Sequence, residues 1–259
     1  MLLAVDVGNT NIVLGTYEGD ELAASWRLST SRSMTADEYG ITILNLFARH
    51  HWETSQVSDI IISCVVPPLM PTLEQVAHVY FHVEPLVVGP GIKTGMPLMY
   101  ENPKEVGADR IVNAVAGYEK YGGPLIIVDF GTATTFCVVS ARGEYLGGAI
   151  TAGLGIASES LFQRTARLPR IELIKPRQVI GRNTVVSMQS GLIFGYIGQV
   201  EGIIQRIVQE LGGFDEPKVV ATGGIASLIA PECRNIHYID QNLTMEGLRI
   251  IHQKNKPER

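Results

Sequence analysis

Leu2–Gly8 (LLAVDVG) recurs in the second half of the chain as Leu125–Gly131 (LIIVDFG), and this repeat decides the fold. In both copies an apolar run ends in Asp, one more apolar residue and Gly, and small hydroxyl or amide residues follow. A second apolar run, a turn containing Gly and a third run come next, which is the pattern of a β-hairpin. Two copies in matching settings indicate an internal repeat rather than a chance match.

Each half then carries helix signals and a further buried strand. Thr35 and Glu38 have the spacing of a capping box at the start of a helix. The strand-like run 59–66 is stopped by two prolines. Helical patterns are also predicted over 69–80, 185–211 and 245–253, the second of them interrupted by several glycines, and another buried strand over 218–222.

Two similar halves of this kind predict an α/β fold made of two stacked domains with a cleft between them. The predicted domains are 1–117 and 118–259, because two glycines and a proline at 122–124 interrupt the chain between the halves. A length of 259 residues suits one or two such domains.

Composition argues against several classes of function. The formal net charge of −5 provides no overall basic field, so no nucleic-acid partner is expected. No run of about 18 apolar residues occurs, and the apolar start soon meets Asp6, so neither a membrane span nor a signal peptide is expected. Cys64, Cys137 and Cys233 form no CxxC pair and suit the reducing cytoplasm.

The two Asp-x-Gly loops are candidate phosphate sites. Gly8 allows a tight turn, and the N–H groups of residues 8–11 could then point at phosphate oxygens. Asp6, at the strand end, could hold Mg²⁺ directly or through water. The second loop, 131–135, offers the same N–H groups and three threonine hydroxyls. Either loop alone also fits an ordinary hairpin turn, but the matched pair favours a clamp on a triphosphate.

The predicted strand at 218–222 runs into Gly223 and Gly224, where a flat adenine ring could lie against the backbone. A plain strand-to-helix turn explains these glycines almost as well. A P-loop is not involved, because the pattern GxxxxGK[ST] is absent from the sequence.

Asp109 is the candidate general base. It precedes an apolar helical pattern and is therefore predicted near a helix N-terminus, where the dipole should keep it ionised near neutral pH. An ionised Asp can accept a hydroxyl proton late in phosphoryl transfer, and Arg110 can pair with a carboxylate or phosphate. A capping Asp followed by a surface Arg is the alternative, and taken alone it is the more common arrangement.

An ordered series of motifs spans almost the whole chain and resembles the type III pantothenate kinases, which belong to the superfamily of acetate and sugar kinases, heat-shock chaperone ATPases and actin. The motifs are DVGNTN at 6–11, GPGIKTG at 89–95, YENP at 100–103, EVGADR at 105–110, DFGTATT at 129–135, GGAI at 147–150, TARLP at 165–169 and GRNT at 181–184. The resemblance implies two actin-like ATPase domains of the ribonuclease H-like type. Ala152 departs from the family pattern, where a Pro is expected.

The resemblance also implies a reaction and a role for each candidate residue. ATP would phosphorylate pantothenate to 4′-phosphopantothenate, with Asp109 as the base, Asp6 near Mg²⁺ and Asp129 on a monovalent cation, K⁺ or NH₄⁺. Contacts to ATP are expected from Asp6, Val7, Gly8, Asn9, Thr10, Asn11, Ile12, Val13, Gly131, Thr132 and Thr134. Contacts to pantothenate are expected from Tyr100, Gly107, Ala108, Asp109, Arg110 and Thr184. Family members are homodimers, so the resemblance implies a homodimer here, with Thr184 expected near the subunit interface; a cytoplasmic location is also expected.

Two other functions fit parts of the pattern. One is a non-catalytic nucleotide-binding accessory factor, because some family members were first described as accessory factors for transcription. The other is a kinase of the same fold with another hydroxyl acceptor, such as a sugar. Asp109 and both loops favour catalysis, and the stretch 100–110 favours pantothenate as the acceptor.

Overall fold

Two five-stranded mixed sheets organise the chain, and the computed structural model describes residues 1–212 and 216–256. The strands are β1 (Leu2–Val7), β2 (Asn11–Glu18), β3 (Glu21–Ser29), β4 (Asp59–Cys64), β5 (Leu86–Val87), β6 (Leu125–Phe130), β7 (Ala133–Val139), β8 (Tyr145–Ala152), β9 (Lys218–Thr222) and β10 (Tyr238–Ile239). The α-helices are α1 (Ala36–Ala48), α2 (Met70–Val76), α3 (Ala108–Tyr121), α4 (Leu154–Arg164), α5 (Thr184–Glu210), α6 (Ala226–Ile229) and α7 (Leu243–Asn255). None of the described helices is both long and apolar enough to cross a membrane.

The two sheets have the same topology, which confirms the internal repeat. Their orders are β3-β2-β1-β4-β5 and β8-β7-β6-β9-β10. In each, three antiparallel strands come first, and two parallel strands extend the sheet from the first strand of the hairpin. The predicted α/β class is therefore correct.

Contacts divide the chain into two compact units that differ from the predicted domain boundaries at two places. The first unit contains Met1–Met96, Glu101–Ala116 and the segment from Asn242 onward, and the second contains Pro97–Tyr100 and Gly117–Gln241. Residues 97–100 join the second unit because the N–H of Met99 donates to the carbonyl of Tyr145 (2.8 Å), whose own N–H donates to Pro97 (2.8 Å).

One face of the first sheet forms the main core of its unit. Side chains of β1, β2 and β4 pack there against α1 and α2 in a cluster that includes Val5, Ile62, Tyr39 and Phe47. The α1 helix begins at the predicted capping box, in which Thr35 accepts the N–H of Glu38 (3.3 Å) and the Glu38 carboxylate accepts the N–H of Thr35 (2.7 Å).

The α7 helix covers the opposite face of the first sheet. A Cβ on Gly15 of β2 would lie 2.9 Å from the Met245 sulfur, so this glycine lets the helix approach closely. Further along α7, the His252 ring lies 3.3 Å from the Asp59 carboxylate of β4, and burial lowers the pKa of His252 despite that neighbour. These contacts are why α7 belongs to the first unit although it follows the second in sequence.

The second unit has its core between the second sheet and α5. The predicted helix at 185–211 exists, but it is one continuous helix of 27 residues rather than an interrupted one. Each interior glycine costs about 1 kcal/mol relative to Ala. The apolar face of α5 outweighs that cost, because Ile193, Tyr196, Val200 and Ile204 are buried against the sheet.

Candidate active site

The loop between β1 and β2 is a tight turn with a fixed shape. The Gly8 N–H donates to the Asn11 carbonyl (2.9 Å), so it is engaged within the turn instead of pointing at phosphate as predicted. Thr30 holds the turn from outside, since its hydroxyl donates to the Gly8 carbonyl (2.7 Å) and its N–H donates to the Thr10 carbonyl (2.9 Å). Asn9 and Thr10 are exposed, and they are the residues of this loop that face solvent most fully.

The predicted ATP-contacting residues of this loop divide into two groups. The side chains of Val7 and Ile12 are buried in the main core at 0% and 1% exposure, so only their backbone can face a ligand. Asp6, Asn11 and Val13 are partly exposed. The sequence did not signal Thr30, whose role depends on a contact 22 residues from Gly8.

Asp6 lies at the end of β1 beside the end of the parallel strand β4. Its register partner is Ser63, and the next pair is Val7 with Cys64. Burial raises the pKa of the Cys64 thiol, and the nearby Asp6 carboxylate raises it further. This strand edge therefore carries negative charge where two parallel strands end, the position at which α/β sheets bind ligands.

Asp109 lies in the first turn of α3, as predicted, and close to the same edge. The Arg110 N–H donates to its carboxylate (2.8 Å). A Cβ on Gly107 would lie 2.6 Å from that carboxylate and 3.8 Å from Val65. Val65 in turn donates its N–H to the carbonyl of Val7 (3.0 Å). Asp6 and Asp109 are thus brought to one region of the first unit.

Burial is the largest influence on the Asp109 carboxylate. It raises the pKa of Asp109, and the hydrogen bond from the Arg110 backbone opposes the rise without cancelling it. Removal from water therefore acts against the predicted effect of the helix dipole, which favours the ionised form. Arg110 is only 6% exposed, so the alternative of a surface arginine is wrong.

The second Asp-x-Gly loop exposes Gly131 and Thr132 but not Thr134. Thr134 is fully buried, and its hydroxyl bonds to Tyr196 of α5, so this side chain does not face the loop surface. The start of α4 packs directly on the loop, because the Gly153 N–H donates to the Thr132 carbonyl (3.1 Å). A Cβ on Gly153 would lie 2.3 Å from that oxygen, so the close approach requires glycine.

Asp129 at the end of β6 lies against Gly223. Its register partners are Thr222 on β9 and Thr135 on β7. Gly223 has φ +95, and a Cβ there would lie 2.5 Å from the Asp129 carboxylate. The sequence suggested this glycine as a flat support for adenine; the structure gives a second reason, which is that only glycine leaves the carboxylate uncovered.

The remaining predicted pantothenate contacts fall in both units. Gly107, Ala108, Asp109 and Arg110 are in the first. Tyr100 is in the second, with its ring 6.3 Å from that of Tyr145. Thr184 is also in the second, exposed at the start of α5, where the Asn183 side chain caps the helix by accepting the N–H of Val186 (2.9 Å).

Asp6 and Asp129 have the donor chemistry that their predicted ions require. Among residues 1–212 and 216–256, no group of three His, Cys, Asp or Glu side chains could hold a metal ion. Each ion would therefore be bound by one carboxylate with hydroxyl, backbone, water or phosphate oxygens, which are the ligands that Mg²⁺ and K⁺ accept. A Cβ on Gly223 would collide with the Asp129 carboxylate, so this glycine is required for the observed position of the proposed cation ligand.

Comparison with known proteins identifies the family of this chain. The family model described as type III pantothenate kinase matches residues 2–206. The chain belongs to the type III pantothenate kinase family. A type III pantothenate kinase from Brevibacillus brevis is 56% identical over 256 residues, covering 99% of this chain and 100% of the relative.

Two solved structures show the fold independently of close sequence similarity. A conserved Baf family protein from Campylobacter jejuni has a TM-score of 0.60 at 19% identity, covering 98% of each chain. A ROK hexokinase from Thermus thermophilus has a TM-score of 0.52 at 11% identity, covering 98% of this chain and 99% of that one. The chain thus shares the fold of these two structures, which agrees with the fold that the resemblance to the type III pantothenate kinases implied.

Proposed function

We propose that this protein transfers the γ-phosphoryl group of ATP to the primary hydroxyl of pantothenate, forming 4′-phosphopantothenate in the first step of coenzyme A synthesis. Membership of the type III pantothenate kinase family supports the reaction. The structural observation that supports it is the partly buried Asp109 carboxylate, held in the first turn of α3 near the strand end that bears Asp6.

Asp109 acts as the general base in this proposal. The pantothenate hydroxyl oxygen bonds to the γ-phosphorus, the bond between that phosphorus and the bridging oxygen breaks, and ADP leaves. The hydroxyl proton passes to the Asp109 carboxylate late in the transfer. Because burial raises the pKa of Asp109, the carboxylate is a stronger base than an exposed Asp would be. Arg110 offers its guanidinium to the pantothenate carboxylate.

The two loops bind the nucleotide in this scheme. Asn9 and Thr10, exposed in the first loop, and Gly131 and Thr132, exposed in the second, supply donors to phosphate oxygens. Mg²⁺ bound near Asp6 would neutralise part of the negative charge of the phosphates. Asp129 holds a monovalent cation, K⁺ or NH₄⁺, beside Gly223.

ADP release measured with and without pantothenate, in K⁺ and then in Na⁺ buffer, tests this function. We expect turnover that requires both ATP with Mg²⁺ and pantothenate, and that falls sharply when Na⁺ replaces K⁺. Pantothenate-independent ATP hydrolysis, or turnover only with sugars, would move the assignment to another acceptor. Nucleotide binding without any turnover would favour the accessory-factor alternative.

We also propose that the protein is a cytoplasmic homodimer that associates through its second unit. Its three cysteines are all free, as in the reducing cytoplasm. Several large apolar side chains of the second unit are exposed, among them Ile150 (61%), Val179 (65%) and Ile180 (82%). Strand β8, which contains Ile150, and the segment that contains Val179 and Ile180 are both hydrogen-bonded to α5. Gln199 of α5 donates to Thr151 (3.1 Å), and the Ser190 hydroxyl of α5 donates to the Val179 carbonyl. Large apolar side chains that are exposed in one protomer become buried when they lie in an interaction surface.

Ile180→Glu is expected to convert the dimer to a monomer without unfolding the chain, because the side chain is solvent-exposed in the single protomer. Analytical ultracentrifugation of the wild type and the variant measures this directly. Ile41→Glu is the matched control, since Ile41 is 55% exposed on α1 of the first unit and should leave the dimer intact. A wild type that sediments as a monomer at working concentration would contradict the proposed dimer.

A further inference from the structure

The Ser63 hydroxyl is a buried polar group without a visible role in folding. The residue is 0% exposed, and within the described part of the chain its Oγ has no hydrogen-bond partner. Buried hydroxyls are nearly always hydrogen-bonded, because an orphaned one has lost its bonds to water. Its neighbours on β4, Ile61 and Ile62, show that the strand accepts apolar side chains on either face.

Ser63 lies directly beside Asp6. The two residues are register partners on the parallel strands β4 and β1, which are about 4.8 Å apart in such a sheet. Residues directly paired across two strands project to the same face, so the Ser63 hydroxyl and the Asp6 carboxylate share one side of the sheet. Ala4 is on this side too, and its register partner Gly15 faces α7 there, so the hydroxyl is on the face of the sheet that α7 covers.

We propose that Ser63 is a positioning residue that hydrogen-bonds to the hydration shell of the Mg²⁺ held near Asp6. The inference rests on the proposed function only in that Asp6 binds Mg²⁺ with nucleotide. A hydroxyl can donate to a carboxylate or accept from a metal-bound water, so it suits either arrangement. Groups that hydrogen-bond to the direct ligands of a metal orient those ligands and tune the affinity of the site for the metal. In this proposal the hydrogen-bond partner of the Ser63 hydroxyl arrives with the bound ligand.

Ser63→Ala should separate folding from metal binding. We expect the thermal midpoint of the ligand-free variant to equal or exceed that of the wild type, because the orphaned hydroxyl is gone. Calorimetric titration with the non-hydrolysable analogue β,γ-imido-ATP should show unchanged affinity without Mg²⁺ and an affinity lower by about 10-fold with it. In turnover, the Mg²⁺ concentration for half-maximal rate should rise while kcat at saturating Mg²⁺ stays close to wild type.

Thr16→Val is the matched control in the same sheet. Thr16 is also 0% exposed, but its hydroxyl donates to the Ala24 carbonyl (3.4 Å), so its loss should lower the thermal midpoint and leave Mg²⁺ dependence unchanged. Ser63→Cys keeps nearly the volume of serine but is a weak hydrogen-bonding group. It should reproduce the Mg²⁺ defect of Ser63→Ala, and this result excludes a small cavity as the cause.

Two results would overturn the proposal. One is an unchanged Mg²⁺ dependence of nucleotide binding in Ser63→Ala. The other is a fall in thermal midpoint as large as that of Thr16→Val, which would give the hydroxyl a role in folding. The titration contains no pantothenate, so a Mg²⁺ defect supports the role of Ser63 even if another acceptor proves to be the substrate.

Discussion

Asp109→Asn is expected to lower the rate of pantothenate phosphorylation by about 10²–10⁴-fold, the usual contribution of a general base. Asn keeps the size of the side chain and still accepts the hydrogen bond from the Arg110 N–H, so nucleotide binding should be retained. Steady-state kinetics and calorimetric titration with β,γ-imido-ATP measure the two properties separately. Because burial raises the pKa of Asp109, the wild-type kcat/KM should fall on acidification at a pH above the ordinary Asp value of 3.8.

A stability measurement on the same variant gives an independent check. A raised folded-state pKa means that the fold favours the protonated carboxyl, so this stabilisation is present at low pH and is lost as the pH rises through the folded-state pKa. The neutral Asn should therefore increase the free energy of unfolding at pH 7 while activity is lost. Asp37→Asn is the matched control, because Asp37 occupies the same second position in α1. Unchanged turnover in Asp109→Asn would contradict the base assignment.

Gly223→Ala is expected to abolish most of the activation by K⁺. The new Cβ would lie 2.5 Å from the Asp129 carboxylate and 2.6 Å from the Phe130 nitrogen, so it would displace the proposed cation ligand. Loss of a well-placed supporting group at a metal site typically costs about 10–100-fold in affinity or activity. The positive φ of +95 adds strain for any residue with a Cβ, on the order of 1–3 kcal/mol. Rates measured over a K⁺ titration report the first effect, and thermal unfolding reports the second.

Gly212→Ala separates backbone strain from the collision with Asp129. Gly212 also belongs to the second unit and has φ +76, but a Cβ there would meet nothing within 4 Å. We expect it to lose stability and to keep the wild-type response to K⁺. If Gly223→Ala retains full activation at the wild-type K⁺ concentration, Asp129 is not the cation ligand.

Most of the fold, and the position of the candidate base Asp109, could be predicted from short stretches of sequence. Apolar runs and turn glycines predicted both hairpins, and the apolar periodicity after Asp109 predicted its place at the start of α3. These features depend on residues close in sequence, which is why they could be predicted. The ordered motifs from residue 6 to residue 184 indicated the family, which the family model confirms.

Features that depend on distant contacts could not be predicted in the same way. Burial is the largest influence on the pKa of Asp109, and burial is a property of the folded unit rather than of the local sequence. Thr134 belongs to a loop rich in hydroxyls, yet the alternation of β7 turns it inward onto Tyr196, 62 residues away. The requirement for glycine at position 153 could not be predicted either, because it comes from the close approach of a carbonyl oxygen on another loop.

The position of α7 has a consequence for synthesis of the protein. The face of the first sheet that carries Gly15 and Asp59 receives its covering helix only after residues 243–255 have left the ribosome. Until then the earliest hairpin to emerge has one face without its native partner, although all of the second sheet has already been translated. Chaperone protection during this interval would matter most for the strands that were made first, since exposed apolar sheet faces invite aggregation.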